Sequence, residues 1–116
     1  MQIISRGITC IIPFNYPIKL LIHKVIPALI MGNVVLAKAP SDNPLAIIKL
    51  CSLFEKAGFP EGVIQAFVCS RELSNQYLIE NPSIQAVSLT GSTKVGVQMS
   101  RAGAETMKHM FMELGG

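Results

Sequence analysis

The chain has 116 residues, of which 50% are hydrophobic and 15% are charged, and its formal net charge is +3. This length favours one domain, and the scattered Lys and Arg residues with few aromatics argue against nucleic-acid binding. The most apolar region, 25–37, is interrupted by proline and glycine and is shorter than the roughly 20 apolar residues of a membrane-spanning helix. The N-terminus lacks the features of a signal peptide, so we expect a soluble cytoplasmic protein without a membrane partner.

The cysteines and histidines do not form a metal-binding pattern. Cys10, Cys51 and Cys69 are widely spaced among apolar residues, no CxxC pair occurs, and the chain has only two histidines. We therefore expect no metal site. Free cysteines in such surroundings usually behave as small buried hydrophobic residues, so we expect reduced, unreactive thiols.

Short apolar segments alternate along the chain with segments of helical periodicity. The predicted strands span 8–12, 34–37, 63–68, 84–89 and 107–112, although the last also fits a helix end. The predicted helices span 18–31, 44–57 and 72–80, and a fourth follows Ser92. This alternation predicts an α/β fold with a doubly wound parallel sheet.

The first predicted helix is mostly apolar and carries one narrow polar stripe. Lys19, His23 and Pro27 recur at a spacing of four residues, and Lys24 lies beside them. Such a stripe is typical of a largely buried helix with one edge in solvent.

The segment GSTKVG, residues 91–96, forms a predicted strand-to-helix turn. Helix N-termini bind phosphate readily because their first N–H groups are unpaired. Gly91 would allow a ligand close to the backbone, and Ser92 would either cap the helix or donate to a ligand oxygen. Val97 stands where a P-loop requires lysine, and GxGxxG is absent. The pattern alone leaves a phosphate site and a simple capped turn open.

Three further polar side chains follow predicted strands, where open α/β sheets bind ligands. Asn15 lies between two prolines that fix its backbone, and its amide is either an oxyanion donor or a helix cap. Lys38 directly follows the second strand and is either a ligand contact or an exposed lysine. Glu113 precedes two glycines and is either a general base or a surface charge.

Taken together, six segments resemble the aldehyde dehydrogenase superfamily in their order and spacing: IIPFNYP, HKVIPALIMGN, VVLAKAPSDNPL, AGFPEGVIQ, VSLTGSTKVG and MELGG. The likeness extends from about Gly7 to Gly116. It implies a Rossmann-like domain for NAD or NADP, in which the Gly-Ser-Thr turn faces the pyrophosphate. The implied reaction adds an active-site thiol to an aldehyde, passes a hydride to NAD(P)⁺ and hydrolyses the thioester.

The resemblance also implies roles for individual residues. Asn15 matches the asparagine whose amide stabilises the oxyanion, and Glu113 matches the glutamate that activates water. Lys38 matches the lysine near the adenosine ribose, and Ser92 matches the serine on the pyrophosphate. The other positions that line the cofactor in the family are Ile11, Ile12, Pro13, Phe14, Leu89, Gly91, Val95, Leu114 and Gly115.

Two departures from the family concern the cofactor. The ribose-binding glutamate, three residues after Lys38, is Ser41 here. Serine lacks the charge that repels a 2′-phosphate, so we expect NADP⁺ to be tolerated or preferred at this cofactor-binding position. The alternative is that Ser41 only caps the next helix and that Asp42 contacts the ribose. In the loop after the third strand, residues 69–75 lack the usual glycines.

The family's nucleophilic cysteine lies beyond the Glu-Leu-Gly-Gly strand, and none of the cysteines here matches it. We therefore interpret residues 1–116 as a partial NAD(P)-binding domain, an incomplete portion of a larger enzyme without the catalytic-cysteine and oligomerisation regions. The isolated chain should be inactive, and the full-length form should oxidise a small-molecule aldehyde, whose identity the sequence does not indicate, as a homo-oligomer. The alternative is a non-catalytic nucleotide-binding or interaction module. A CoA-acylating enzyme is disfavoured, because only hydrolysis needs a base such as Glu113.

Overall fold

A computed structural model describes residues 6–115 of the chain. The strands are β1 Gly7–Ile11, β2 Val34–Lys38, β3 Ile64–Phe67, β4 Ile84–Gly91 and β5 His109–Leu114. The helices are α1 Pro17–Ile30, α2 Leu45–Lys56, α3 Arg71–Ser74 and α4 Thr93–Ala104, and a π-helical segment, Asn75–Ile79, continues α3.

The strands form one parallel sheet in the order β3-β2-β1-β4-β5. The chain moves outward from β1 through β2 to β3 and then returns to place β4 on the other side of β1. In the centre of the sheet, Thr9 of β1 pairs with Leu36 of β2 and with Val87 of β4. The strand order therefore reverses between β1 and β4, where α/β sheets of this kind bind their ligands.

Helices cover both faces of the sheet, which confirms the predicted doubly wound α/β architecture. On one face, α1 and α2 pack on a core that contains Cys10; on the other, the π-helical segment and α4 pack on a core that contains Ile11. These consecutive residues of β1 enter opposite cores because side chains alternate along a strand.

All five predicted strands are confirmed, and two elements differ in detail. β5 runs from His109 to Leu114, so the helical interpretation of 107–112 is wrong. The helix predicted over 72–80 is a four-residue α-helix followed by the π-helical segment. Glu80 N–H donates to Asn75 O at 2.9 Å, and the wider turn buries both Leu78 and Ile79 against the sheet.

Two of the three cysteines are buried as expected. Cys10 is 0% and Cys51 5% exposed, whereas Cys69 is only partly buried. Burial raises the pKa of the Cys10 thiol to about 12, even though Lys24 lowers it, and raises the pKa of Cys51 to about 11. Both thiols are therefore protonated at neutral pH, which is the opposite of what a nucleophile needs.

Candidate functional site

A cavity of about 440 Å³ lies at the carboxyl ends of β1 and β4, at the point where the strand order reverses. It is lined by most of the residues that the sequence assigned to the cofactor. These are Ile11, Ile12, Pro13, Phe14, Lys38, Leu89, Gly91, Ser92 and Val95. Thr90, Arg71, Ser74 and Met99 complete the wall.

A second cavity, of about 350 Å³, opens from the same strand ends and contains Asn15, Glu113 and Gly115 in its wall. The two cavities share part of their lining, namely Pro13, Phe14, Thr90, Gly91 and Ser92. They therefore form one crevice, with Asn15 and Glu113 at one end and Lys38 at the other.

The N-terminus of α4 lies at the middle of this crevice. Ser92 is the N-cap residue, and its Oγ accepts a hydrogen bond from Val95 N–H at 3.3 Å, so the capping role considered from the sequence is confirmed. Ser92 is also exposed and lines both cavities. Capping and contact with a ligand are thus compatible, because a hydroxyl can accept one hydrogen bond and donate another.

Gly91 is not required by packing within the described chain. A Cβ atom added at this residue would meet only the Leu89 side chain, at 3.4 Å from Cδ1, which is ordinary van der Waals contact. The absence of a side chain instead leaves room in the crevice for a ligand close to the backbone.

Asn15 lies two residues before α1, which begins at Pro17, and it does not cap the helix. The N-cap position is Tyr16, which has left-handed backbone angles (φ 51, ψ 44), and no side chain in the described part of the chain provides the capping hydrogen bond. A non-glycine residue in this region is uncommon and costs free energy. The strained corner leaves Asn15 exposed in the crevice, so the capping alternative for Asn15 is wrong.

Glu113 contacts two residues, Thr90 and Lys24, that no sequence motif assigns to the site. Its Oε2 accepts a hydrogen bond from Thr90 Oγ1 at 2.9 Å, and its Oε1 lies 3.7 Å from Lys24 Nζ. The Glu113 side chain itself is 63% exposed. Its carboxylate is therefore accessible to a reactant in the crevice while its orientation is constrained from two sides.

Lys24 was expected on the polar stripe of α1, and the structure corrects this expectation. Its side chain is only 4% exposed. Nζ donates to Ser88 Oγ on β4 at 2.9 Å. The helical spacing gives no sign of this, because the burial depends on residues far along the chain.

Three of the predicted cofactor-binding residues do not line the first cavity. Leu114 instead packs against α4, since a Cβ atom on Gly96 would come within 2.7 Å of its Cδ1. Gly115 lines the second cavity. Ser41 is exposed in the turn between β2 and α2 and lines neither cavity.

Residues 6–115 contain no cluster of three His, Cys, Asp or Glu side chains arranged to hold a metal ion. No helix in this part of the chain combines the length and hydropathy needed to cross a membrane.

Comparisons with known proteins identify the family of the chain. The sequence profile of the Aldehyde dehydrogenase family matches residues 7–116. The chain is 36% identical over 107 residues to an aldehyde dehydrogenase of Agaricus bisporus, covering 91% of this chain and 21% of that protein. It is 33% identical over 109 residues to D-glyceraldehyde dehydrogenase (NADP(+)) of Picrophilus torridus, covering 94% of this chain and 22% of that protein.

The fold is shared as well as the sequence. A crystal structure of Mycobacterium tuberculosis aldehyde dehydrogenase complexed with NAD⁺ matches 95% of this chain and 23% of that chain, with a TM-score of 0.88 and 34% identity. The chain spans about a fifth of the length of the curated relatives that it matches. The profile match over nearly the whole sequence and the shared fold show that the chain belongs to the aldehyde dehydrogenase family.

Proposed function

We propose that residues 1–116 form most of the NAD(P)-binding domain of an aldehyde dehydrogenase that oxidises an aldehyde to a carboxylic acid. The observation that carries this proposal is the single crevice at the strand reversal of this family's fold. It combines an amide and a carboxylate, Asn15 and Glu113, at one end with a helix N-terminus in the middle and a cation, Lys38, at the other.

The residues present fit an NAD(P) cofactor. The N–H groups at the start of α4 suit the pyrophosphate, because helix N-termini bind phosphate readily. Gly91 has no side chain, so the pyrophosphate can approach the backbone there closely. Lys38 suits the adenosine half, whereas Pro13, Phe14 and Gly115 would contact the nicotinamide half near Glu113. When bound, the cofactor accepts the hydride that leaves the aldehyde carbon.

The chain's own residues would then stabilise charge and move a proton. The Asn15 amide would donate a hydrogen bond to the aldehyde oxygen as it becomes an oxyanion upon attack by a thiolate. Glu113, oriented by Thr90, would take a proton from the water that cleaves the resulting thioester. We place the thiol outside residues 1–116, because Cys10 and Cys51 are buried with raised pKa values and Cys69 lines neither cavity of the crevice.

The proposal also covers the choice of cofactor. One sequence relative is the D-glyceraldehyde dehydrogenase (NADP(+)) of Picrophilus torridus, and the Mycobacterium tuberculosis structure is a complex with NAD⁺. Ser41 supplies no carboxylate, and no Asp or Glu of residues 6–115 lines the cavity that contains Lys38. We therefore propose that NADP⁺ is tolerated or preferred. Cytoplasmic location and homo-oligomeric assembly of the full-length protein stay predictions.

The test is aldehyde-dependent formation of NADPH or NADH. The full-length protein should turn over at least one member of a panel of aldehydes, whereas the purified 116-residue chain should bind the reduced cofactors without turnover. Binding is followed by the fluorescence of the bound nicotinamide. A full-length protein that binds the cofactors but oxidises no aldehyde would support a non-catalytic nucleotide-binding module instead. Turnover by the isolated chain that is lost in Cys10→Ala, Cys51→Ala or Cys69→Ala would contradict the placement of the thiol.

A further inference from the structure

Among residues 6–115, the charged side chains in the wall of the 440 Å³ cavity are all cationic. Lys38 comes from the end of β2 and Arg71 from the start of α3. Among residues 6–115, neither of them forms an ion pair with a carboxylate. Glu72, the neighbour of Arg71, is exposed and does not line the cavity. This end of the crevice therefore carries two positive charges that are free to bind an anionic group.

α3 contributes a second polar group to the same wall. Ser74 is 0% exposed, and its Oγ has no hydrogen-bond partner among the described residues. Buried hydroxyl groups are nearly always hydrogen-bonded in native proteins. An unpaired hydroxyl in a cavity wall, close in sequence to an unpaired arginine, indicates a binding surface for a polar ligand.

The direction of a bound dinucleotide follows from the shape of the crevice, if the proposed function is correct. Its nicotinamide must lie at the end with Asn15 and Glu113, and its pyrophosphate at the N-terminus of α4. The adenosine half then extends toward Lys38, Arg71 and Ser74. On that half, NADP⁺ differs from NAD⁺ only in the phosphate on the 2′-oxygen of the ribose.

We propose that Arg71 is a specificity-determining residue that, together with Lys38, binds the 2′-phosphate and makes NADP⁺ the preferred cofactor. A phosphate monoester near pH 7 carries close to two negative charges. The planar guanidinium binds two of its oxygens at once, whereas the lysine ammonium adds a point charge. The proposal goes beyond mere tolerance of NADP⁺, since the loss of a repelling carboxylate at position 41 creates no attraction by itself.

The experiment compares ligands that differ only in this phosphate. Dissociation constants for NADP⁺ and NAD⁺, and for 2′,5′-ADP and 5′-AMP, are measured by calorimetry on the wild-type protein, Arg71→Gln and Arg101→Gln. Arg101 is the matched control, because it is an exposed arginine on α4 that lines neither cavity. Removing a charge-assisted hydrogen bond of about 1.5 kcal/mol corresponds to roughly a tenfold loss of affinity.

We expect wild-type protein to bind NADP⁺ more tightly than NAD⁺, with a difference that shrinks as salt is added. Arg71→Gln should weaken NADP⁺ and 2′,5′-ADP by about tenfold and leave NAD⁺ and 5′-AMP unchanged, whereas Arg101→Gln should change none of them. Preference for NAD⁺, or an equal effect of Arg71→Gln on both dinucleotides, overturns this inference but not the proposed function. Failure of both dinucleotides to bind overturns the two together.

Discussion

A methyl group on Gly91 would have room, because among the residues that the structure describes an added Cβ atom would meet only Leu89, at 3.4 Å. We predict that Gly91→Ala leaves the free energy of unfolding within about 0.5 kcal/mol of wild type. It should nevertheless weaken binding of NADPH by roughly tenfold or more, because the methyl group occupies space that the pyrophosphate needs. Urea unfolding and a fluorescence titration measure the two effects. If Gly91→Ala bound NADPH as tightly as the wild type, the cofactor would not approach the backbone at Gly91.

Lys24 is predicted to act through the position of Glu113. Lys24→Met removes a buried ammonium group 3.7 Å from Glu113 Oε1 and 2.9 Å from Ser88 Oγ. In the full-length protein we expect kcat for the proposed reaction to fall by about tenfold, since small displacements of the proposed base are costly, while the dissociation constant for NADP⁺ stays unchanged.

The control for Lys24 is the charge-conserving variant Lys24→Arg, which should recover part of the lost kcat if the charge orients Glu113. The second control is Lys19→Met, on the exposed side of the same helix. A fall in NADP⁺ affinity that parallels the fall in kcat would indicate a general structural role for Lys24 instead.

The residues of the site differ in how far the sequence could predict them. Lys38 ends β2, and Asn15 lies in the proline-flanked corner four residues after β1, so local signals in the sequence predict both positions. Glu113 is the penultimate residue of β5, and its position also depends on the pairing of β5 with β4. Thr90 stands between the predicted residues Leu89 and Gly91 and could have been selected on that ground. Lys24 could not have been predicted as part of the site, because its hydrogen-bond partner, Ser88, lies 64 residues away in the sequence.

The buried thiol of Cys10 should make stability fall at alkaline pH. Burial raises its pKa from 9.0 to about 12 in the folded chain, so the unfolded chain releases the proton first as pH increases. The contribution of the protonated Cys10 thiol to the free energy of unfolding is therefore complete below pH 9 and is lost between pH 9 and about 12. Within that window this one group lowers the free energy of unfolding by at most about 1.4 kcal/mol per pH unit.

The measurement for Cys10 is urea unfolding across this pH range. Cys10→Ala should show a shallower decline than wild type, and Val25→Ala, a core change without a titratable group, should keep the wild-type slope. Identical slopes in all three proteins would mean that the Cys10 thiol ionises equally easily in both states.

At the scale of elements, Lys108 connects the start of β5 to the start of β4. It is 9% exposed, and its Nζ donates to the carbonyl oxygens of Asn81 and Ile84. Lys108→Met would leave both carbonyls without this donor, and we expect it to lower the free energy of unfolding by about 1–3 kcal/mol. Lys56→Met, at the exposed end of α2, is the control and should have little effect. Equal urea midpoints for the two variants would refute this role.

The success of sequence-based prediction also differed among the elements. β1, β2 and β4 are apolar segments between clear turn residues, and their strand patterns are unambiguous. β5 was ambiguous because its methionines suit a helix as well as a strand, and its pairing with β4 is what settles the matter. The π-helical segment was not predictable, because the wider turn at Asn75 depends on the burial of Leu78 and Ile79 against the sheet.

At the scale of the whole molecule, the alternation of strands and helices was enough to predict a doubly wound parallel sheet. Because the connections of such folds are right-handed, helices cover both faces of the sheet only where the strand order reverses, as it does between β1 and β4. The reversal brings the corner at Asn15 and the turn at Gly91 together in one crevice, although the two residues are 76 positions apart in the sequence. The crevice is thus a consequence of topology, and its chemistry is a consequence of a few side chains at strand ends.

The measurement that tests this account most directly is the pre-steady-state formation of NAD(P)H by the full-length protein and two variants. Glu113→Gln should keep a rapid burst of reduced cofactor and lose steady turnover, because only hydrolysis needs the base. Asn15→Ala should slow the burst itself, by about 10²–10³-fold, because one oxyanion donor is lost. A Glu113→Gln protein that binds the cofactor normally but shows no burst would contradict the assignment of Glu113 as the base that activates water.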